Sequence, residues 1–152
     1  MLKAIINKLL YLFAVLSNER YIKYLRKKGI LIGTGCIFRN RGTIRVDITR
    51  PSLISIGNNV DFNKNFQLLT HDYATSVFIR KYGDFINSSG RVVIGNNIVF
   101  GTDVIVLKGV EIGDNCIIGA GSIVSNSIPA NSVAVGRPAK VVCSIDEFYE
   151  RR

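Results

Sequence analysis

IGNNIV FGTDVI VLKGVE IGDNCI IGAGSI VSNSI, residues 94–128, decides the fold of this chain. Written in sixes, its first positions are Ile94, Phe100, Val106, Ile112, Ile118 and Val124, all apolar. The fifth positions are Ile98, Val104, Val110, Cys116, Ser122 and Ile128, and glycine holds the second position at Gly95, Gly101, Gly113 and Gly119. A period of six matches neither a helix of ~3.6 residues per turn nor one half-buried strand of period two. It matches a short strand and a tight corner repeated in series, the pattern of a β-helical solenoid. First and fifth side chains then fill the interior, while glycine and Asn/Asp residues supply the positive φ that corners require.

Upstream, looser hexads have first positions at Ile32, Phe38, Ile44, Ile56, Phe62 and Leu68, with Arg50–Leu53 as a loop or distorted corner. The step from Leu68 to Ile94 is four hexads plus two, so a non-repetitive segment interrupts the phase. That segment, about residues 74–91, carries aromatic and cationic side chains and reads as an excursion loop. The N-terminal end reads as two helices, one over residues 2–16 and one over 18–28 stopped by Gly29. Downstream of Pro129 the hexads degrade, and residues 144–152 read as a short cap over the solenoid end. The organisation expected is a helical segment over 1–29, a solenoid over 30–143 and a cap over 144–152.

Composition narrows the function. The 152 residues are 47% hydrophobic, enough for one domain with a core. Cys36, Cys116 and Cys143 are widely spaced and odd in number, and the first two sit at fifth positions, so they read as small buried side chains in a reducing cytoplasm. A single histidine excludes a three-histidine zinc site within the chain. The net charge is +9, and residues 1–41 hold nine basic residues against Glu19 alone, so eight of those nine charges lie in this end. Such an end suits helices that cap the solenoid or pack between subunits, with peripheral contact to the inner membrane face as the alternative. The longest apolar run there, Leu9–Leu16, is eight residues, short of the ~20 that span a bilayer. No nucleic-acid recognition motif accompanies the basic residues, so a nucleic-acid partner is not expected.

His71 lies in LLTHDY, where the first set of hexads ends. Counted from Leu68 it occupies a fourth position and points out of the solenoid; by position alone it is a solvated surface histidine. Asp72 follows it, but adjacent side chains of a strand face opposite ways, so Asp72 orients the ring only where a corner falls between them.

The isoleucine–glycine hexads followed by GRPAK at Gly136–Lys140 resemble the hexapeptide-repeat acyltransferases, in particular the sugar O-acetyltransferase branch that includes maltose and galactoside acetyltransferases. The resemblance implies a left-handed parallel β-helix with three hexads per turn, an assembly of three identical chains, and acetyl-CoA as acyl donor without a metal. It also implies an acetyl-CoA-dependent O-acetyltransferase acting on a sugar hydroxyl, in surface polysaccharide biosynthesis, with a free or lipid-linked saccharide as acceptor. The run IGNNVDFNKNFQLLTH, from Ile56 to His71, is similar to the run that ends in the family's catalytic histidine, which makes His71 the expected general base. Thr102 and Ala120, third positions three hexads apart, match positions that contact the coenzyme through the main chain; Lys140 matches a basic residue near its nucleotide phosphate, and Arg137 would assist. Asn40, in FRNRG, falls about where the family holds the acceptor or the oxyanion, and Arg80, Lys81 and Tyr82 in the excursion loop are candidates for acceptor contact. Two other readings are N-acetylation of an amino sugar and a non-catalytic trimeric solenoid that serves as scaffold or binding module.

Overall fold

A computed structural model describes residues 2–152. Two helices open the chain, α1 (Leu2–Ala14) and α2 (Asn18–Lys28). Ser17 caps α2 by accepting from the Arg20 N–H, and Gly29, at φ 104°, ends it. The first coil follows as β1 (Leu31–Ile32), β2 (Ile37–Phe38) and β3 (Arg45–Val46), and the second as β4 (Ile54–Ile56), β5 (Val60–Phe62) and β6 (Gln67–Leu68). After an excursion that contains α3 (Thr75–Tyr82), the third coil is β7 (Val92–Ile94), β8 (Ile98–Phe100) and β9 (Ile105–Val106). The fourth is β10 (Glu111–Ile112), β11 (Cys116–Ile118) and β12 (Ile123–Val124). A hairpin of β13 (Ser132–Gly136) and β14 (Ala139–Ser144) and a short helix α4 (Ile145–Glu150) close the chain.

The strands stack into three parallel faces, ordered β1-β4-β7-β10, β2-β5-β8-β11-β13 and β3-β6-β9-β12, with β14 added antiparallel to β13. Regular coils advance by three hexads: Val106 pairs with Val124, and Phe100 with Ile118. The first coil is longer by one hexad, since Ile32 pairs with Ile56 and Phe38 with Phe62. Part of its surplus is a short 3-10 turn at Pro51–Leu53, in the segment expected to be irregular. Its register corrects one expectation: Val46 is the partner of Leu68, so Val46 holds the first position and Ile44 stands opposite Phe66 at a fifth position. Leu68 pairs with Val106, so the excursion more than doubles the length of its coil. Within the excursion, Thr75–Tyr82 form the helix α3, where only an irregular loop was expected.

The second-position glycines have a different task from the one expected. Positive φ falls on the fourth positions Asn97, Asp103, Gly109, Asn115 and Gly121. Gly101 is required instead by close approach, because a Cβ there would lie 2.5 Å from the Ala120 nitrogen and 2.7 Å from its Cα. At the corner between the first and second faces, amide side chains run as a ladder: Asn97 Nδ2 donates to Asn115 Oδ1 at 2.8 Å, and Asn115 Nδ2 to Asn131 Oδ1 at 2.9 Å.

Inside, Phe38, Phe62 and Phe100 stack along one face, with centroids 4.4 Å and 5.3 Å apart. Tyr21 of α2 meets the exposed end of that stack edge-on, 5.1 Å from Phe38. Each fully buried aromatic or aliphatic side chain of this core contributes about 1.5–3 kcal/mol of transfer free energy. The same helix covers the open strand edge. Asn18 Nδ2 donates to the Cys36 carbonyl at 2.9 Å and its Oδ1 accepts from the Phe38 N–H at 2.7 Å, while Arg26 donates to the Ile32 carbonyl at 3.0 and 2.8 Å. An edge of unpaired backbone groups is thereby satisfied. The capping role expected of the N-terminal helices therefore belongs to α2. All three cysteines are buried and unpaired, and the inward Ser122 is satisfied by donating to the Gly119 carbonyl and accepting from the Gly136 N–H.

Candidate active site

The three corners of each coil form three long edges of the solenoid, and the predicted site residues fall on two of them. His71 sits directly after β6, on the edge between the third and first faces, where the chain leaves for the excursion. Asp47, directly after β3, lies on the same edge one coil earlier. Its Oδ2 is 2.7 Å from His71 Nδ1, its side chain is 6% exposed, and the histidine side chain is 21% exposed.

Asp47 is held on every side. Its Oδ1 accepts from the Thr49 N–H at 3.0 Å and the Thr49 hydroxyl at 2.6 Å. Its Oδ2 accepts from the Thr70 N–H at 3.2 Å and from the fully buried Thr70 hydroxyl. Burial pushes the carboxyl pKa up, but the hydrogen bonds from Thr49, Thr70 and His71 outweigh it and hold Asp47 below the usual carboxylate range. An ionised carboxylate only accepts, so the ring proton belongs on Nδ1. Nε2 then carries the free lone pair, so that nitrogen is able to accept a proton.

Asp72 has another task. Its carboxylate pairs with Lys108 at 2.8 Å and accepts from Ser88 Oγ at 2.5 Å and the Ala74 N–H at 2.8 Å. The Lys108 ammonium, then Ser88 and the Ala74 N–H, hold its pKa below the usual carboxylate range. Lys108 also donates to the Ser88 hydroxyl, so one cation of the third coil ties both ends of the excursion. The neck is closed by backbone as well: Gly90 N–H donates to the Thr70 carbonyl at 2.9 Å, and Asp72 N–H to the Ser88 carbonyl at 3.1 Å. Tyr73 places its ring 5.7 Å from that of His71. Arg80, Lys81 and Tyr82 occupy the last turn of α3 and are exposed; they belong to the excursion that leaves from the histidine edge.

Thr102, Ala120 and Arg137 come together on a different edge, between the second and third faces. Gly121 N–H donates to the Thr102 carbonyl at 2.8 Å, and Arg137 Nε donates to the Gly121 carbonyl at 2.5 Å. Thr102 and Ala120 are exposed there, one above the other, and Lys140 is exposed on β14 opposite Val135. Asn40 is on this edge too, at the corner after β2, with φ 52° and no capping bond from its side chain. Within one chain Asn40 is therefore grouped with Thr102 and Ala120 and not with His71. Two grooves, of about 830 and 580 Å³, lie beside α2, and His71 lines neither.

Asp47, Thr49, Thr70, Ser88 and Lys108 were absent from the residues expected at the site. The Asp-x-Thr turn at Asp47–Thr49 was a readable signal, and His71 follows Asp47 by one full length of the first coil.

A match to the bacterial transferase hexapeptide (six repeats) family covers residues 91–126. The chain is 38% identical over 130 residues to protein CapG of Staphylococcus aureus, covering 84% of this chain and 73% of that protein. It is 41% identical over 120 residues to the galactoside O-acetyltransferase of Lactococcus lactis, covering 79% of this chain and 55% of that enzyme. The chain thus spans little more than half the length of that relative. The structure of a maltose O-acetyltransferase from Clostridium difficile superposes with a TM-score of 0.63 at 30% identity, covering 90% of this chain and 83% of that one. This chain belongs to the hexapeptide-repeat transferase family, and its solenoid is the left-handed parallel β-helix of that family.

Proposed function

We propose that this chain is an acetyl-CoA-dependent O-acetyltransferase that works as a homotrimer on a sugar hydroxyl. The observation that carries the reading is the Asp47–His71 pair, in which a nearly buried carboxylate faces Nδ1 and leaves Nε2 as the proton acceptor. A sugar hydroxyl is a weak nucleophile at neutral pH, and imidazole removes its proton as the oxygen attacks. The hydroxyl oxygen forms the new bond to the acetyl carbonyl carbon while its proton passes to Nε2. Asp47 stabilises the imidazolium that results. Backbone N–H groups along the solenoid stabilise the tetrahedral oxyanion, the carbon–sulfur bond breaks, and the departing thiolate takes the proton back from Nε2. No acyl-enzyme is needed.

Thr102 and Ala120 form a smooth rail for the pantetheine arm, since small side chains leave the main chain approachable, with Arg137 and Lys140 toward the nucleotide phosphates. Because rail and base lie on different edges of one chain, a working site joins the His71 edge of one copy to the rail of the next. Asn40 then reaches an acceptor across the subunit boundary, and Arg80, Lys81 and Tyr82 of α3 shape its outer side. Galactoside and maltose acetyltransferases among the relatives support a sugar as acceptor. The basic N-terminal end favours a surface-polysaccharide precursor over a free sugar.

The test is release of coenzyme A thiol from acetyl-CoA with free and lipid-linked saccharides as acceptors, followed by mild alkali on the product. An alkali-labile ester is expected. An alkali-stable amide would move the reaction to an amino sugar, and absence of both turnover and saturable acetyl-CoA binding would reduce the protein to a scaffold.

A further inference from the structure

The apolar side of α1 faces away from the protein. Asn7, Tyr11 and Ala14 follow one another at helical spacing; Ala14 is buried, Tyr11 stacks edge-on with Tyr24 at 6.0 Å, and Asn7 accepts from Lys28. That is the side turned to α2. Leu2, Ile5, Ile6, Leu9 and Phe13, continued by Leu16 in the turn beyond the helix, make the opposite stripe and are 46–72% exposed. A helix that only covered the solenoid would turn this stripe inward. Here the covering is done by Tyr21, Leu25, Asn18 and Arg26 of α2, and the apolar stripe of α1 is left over.

Beside the stripe, α1 and α2 enclose a groove of about 580 Å³ floored by Leu10, Phe13, Ala14 and Tyr24. Arg20, Lys23, Lys27 and Lys28 rim it, and among the described residues no acid lines it. Arg20 lies 4.3 Å over the Phe13 ring and Lys28 5.4 Å over that of Tyr24, so the cations are held at the border of the apolar surface. An exposed apolar stripe flanked by concentrated positive charge is the make-up of a helix that rests in a lipid interface.

We propose that the α1–α2 hairpin docks on an anionic phospholipid bilayer, with the stripe of α1 entering the headgroup boundary and the four rim cations receiving lipid phosphates. Charge chooses the bilayer over a second copy of this chain. Residues 1–28 hold seven basic residues against Glu19 alone, so two hairpins face to face would repel, whereas an anionic surface attracts each cation. No described helix is long and apolar enough to cross a membrane, and docking parallel to the surface requires none. The inference stands apart from the proposed chemistry, since its readout uses neither acyl donor nor acceptor.

Flotation of the full chain with phosphatidylcholine vesicles, with and without about 30% phosphatidylglycerol, tests it; each cation near the anionic surface adds about fivefold to partitioning. Wild type should float with anionic vesicles at least about tenfold better than with neutral ones, and less so as salt rises. Leu9→Glu with Phe13→Glu should cut flotation at least about tenfold without altering the far-ultraviolet circular dichroism, because both positions are exposed. Lys23→Glu, Lys27→Glu and Lys28→Glu together should remove the preference for anionic lipid. The proposal is overturned by failure of wild type to float or by undiminished flotation of the stripe variant. A wild type that fails to float while the stripe variant loses its oligomeric state would give the stripe to another copy of the chain.

Discussion

The edge that carries Thr102 and Ala120 and the edge that carries His71 are built from the same repeat yet behave in opposite ways. Between the second and third faces the corners of the regular coils advance three hexads at a time, and small side chains and hydrogen-bonded backbone lie in register. Between the third and first faces every coil differs: one adds the Asp47–Leu53 segment, the next the excursion that contains α3, and the third supplies Lys108. Regularity yields a straight surface suited to a long, narrow ligand. Irregularity brings residues from successive coils into contact and allows a carboxylate, a histidine and two threonines to converge.

Substitutions on the two edges should therefore separate in kinetics. The largest effect belongs to His71→Ala, which should lower kcat about 100- to 10,000-fold, the usual contribution of a general base, with the sedimentation of the protein unchanged. Asp47→Asn comes next. It keeps the ring but weakens its tautomer and the imidazolium, and should lower kcat on the order of 100-fold with KM for acetyl-CoA unchanged. Ala120→Phe should do the reverse, raising KM for acetyl-CoA about tenfold while kcat at saturation stays near wild type. A fall in kcat alone for Ala120→Phe would dissolve the distinction between the edges.

Acid should expose a smaller effect of Asp47. Its folded pKa lies below its unfolded value near ~3.9, so its stabilising contribution is complete above that pH and is lost as pH falls through the folded value. The stability gap between wild type and Asp47→Asn, read by urea unfolding, should be present at neutral pH and narrow as pH falls below about 4. A gap that failed to narrow there would mean that Asp47 does not hold a lowered pKa in the native protein.

The solenoid was legible because each hexad declares its inward positions without help from the others. Ile94, Phe100 and Val106 already carry the period, and six units in phase leave no competing assignment. Gly29 and the apolar spacing in α2 were equally readable. His71 was singled out by the family resemblance of the run that ends in it, but Asp47 beside it was not. Asp47 lies within a coil lengthened by one hexad, and slippage in that coil also moved Ile44 and Val46 by one inward position. Register in an irregular coil is set by hydrogen bonds between coils, and a single chain's pattern does not display them. The hairpin of β13 and β14 escaped for a related reason, since its antiparallel strand follows no hexad. Lys108 carries no signal of its own in the sequence, because its partners, Asp72 and Ser88, sit at the two ends of the excursion.

Separation of base and rail onto different copies is tested most directly by mixing. His71→Ala and Ala120→Phe chains are unfolded together, refolded, and assayed at low acetyl-CoA, where each variant alone is nearly inactive. Random assembly gives about a quarter of all sites an intact histidine from one copy and an intact rail from its neighbour, so about a quarter of wild-type activity should return. Activity no greater than that of the two variants assayed separately would place base and rail on the same chain.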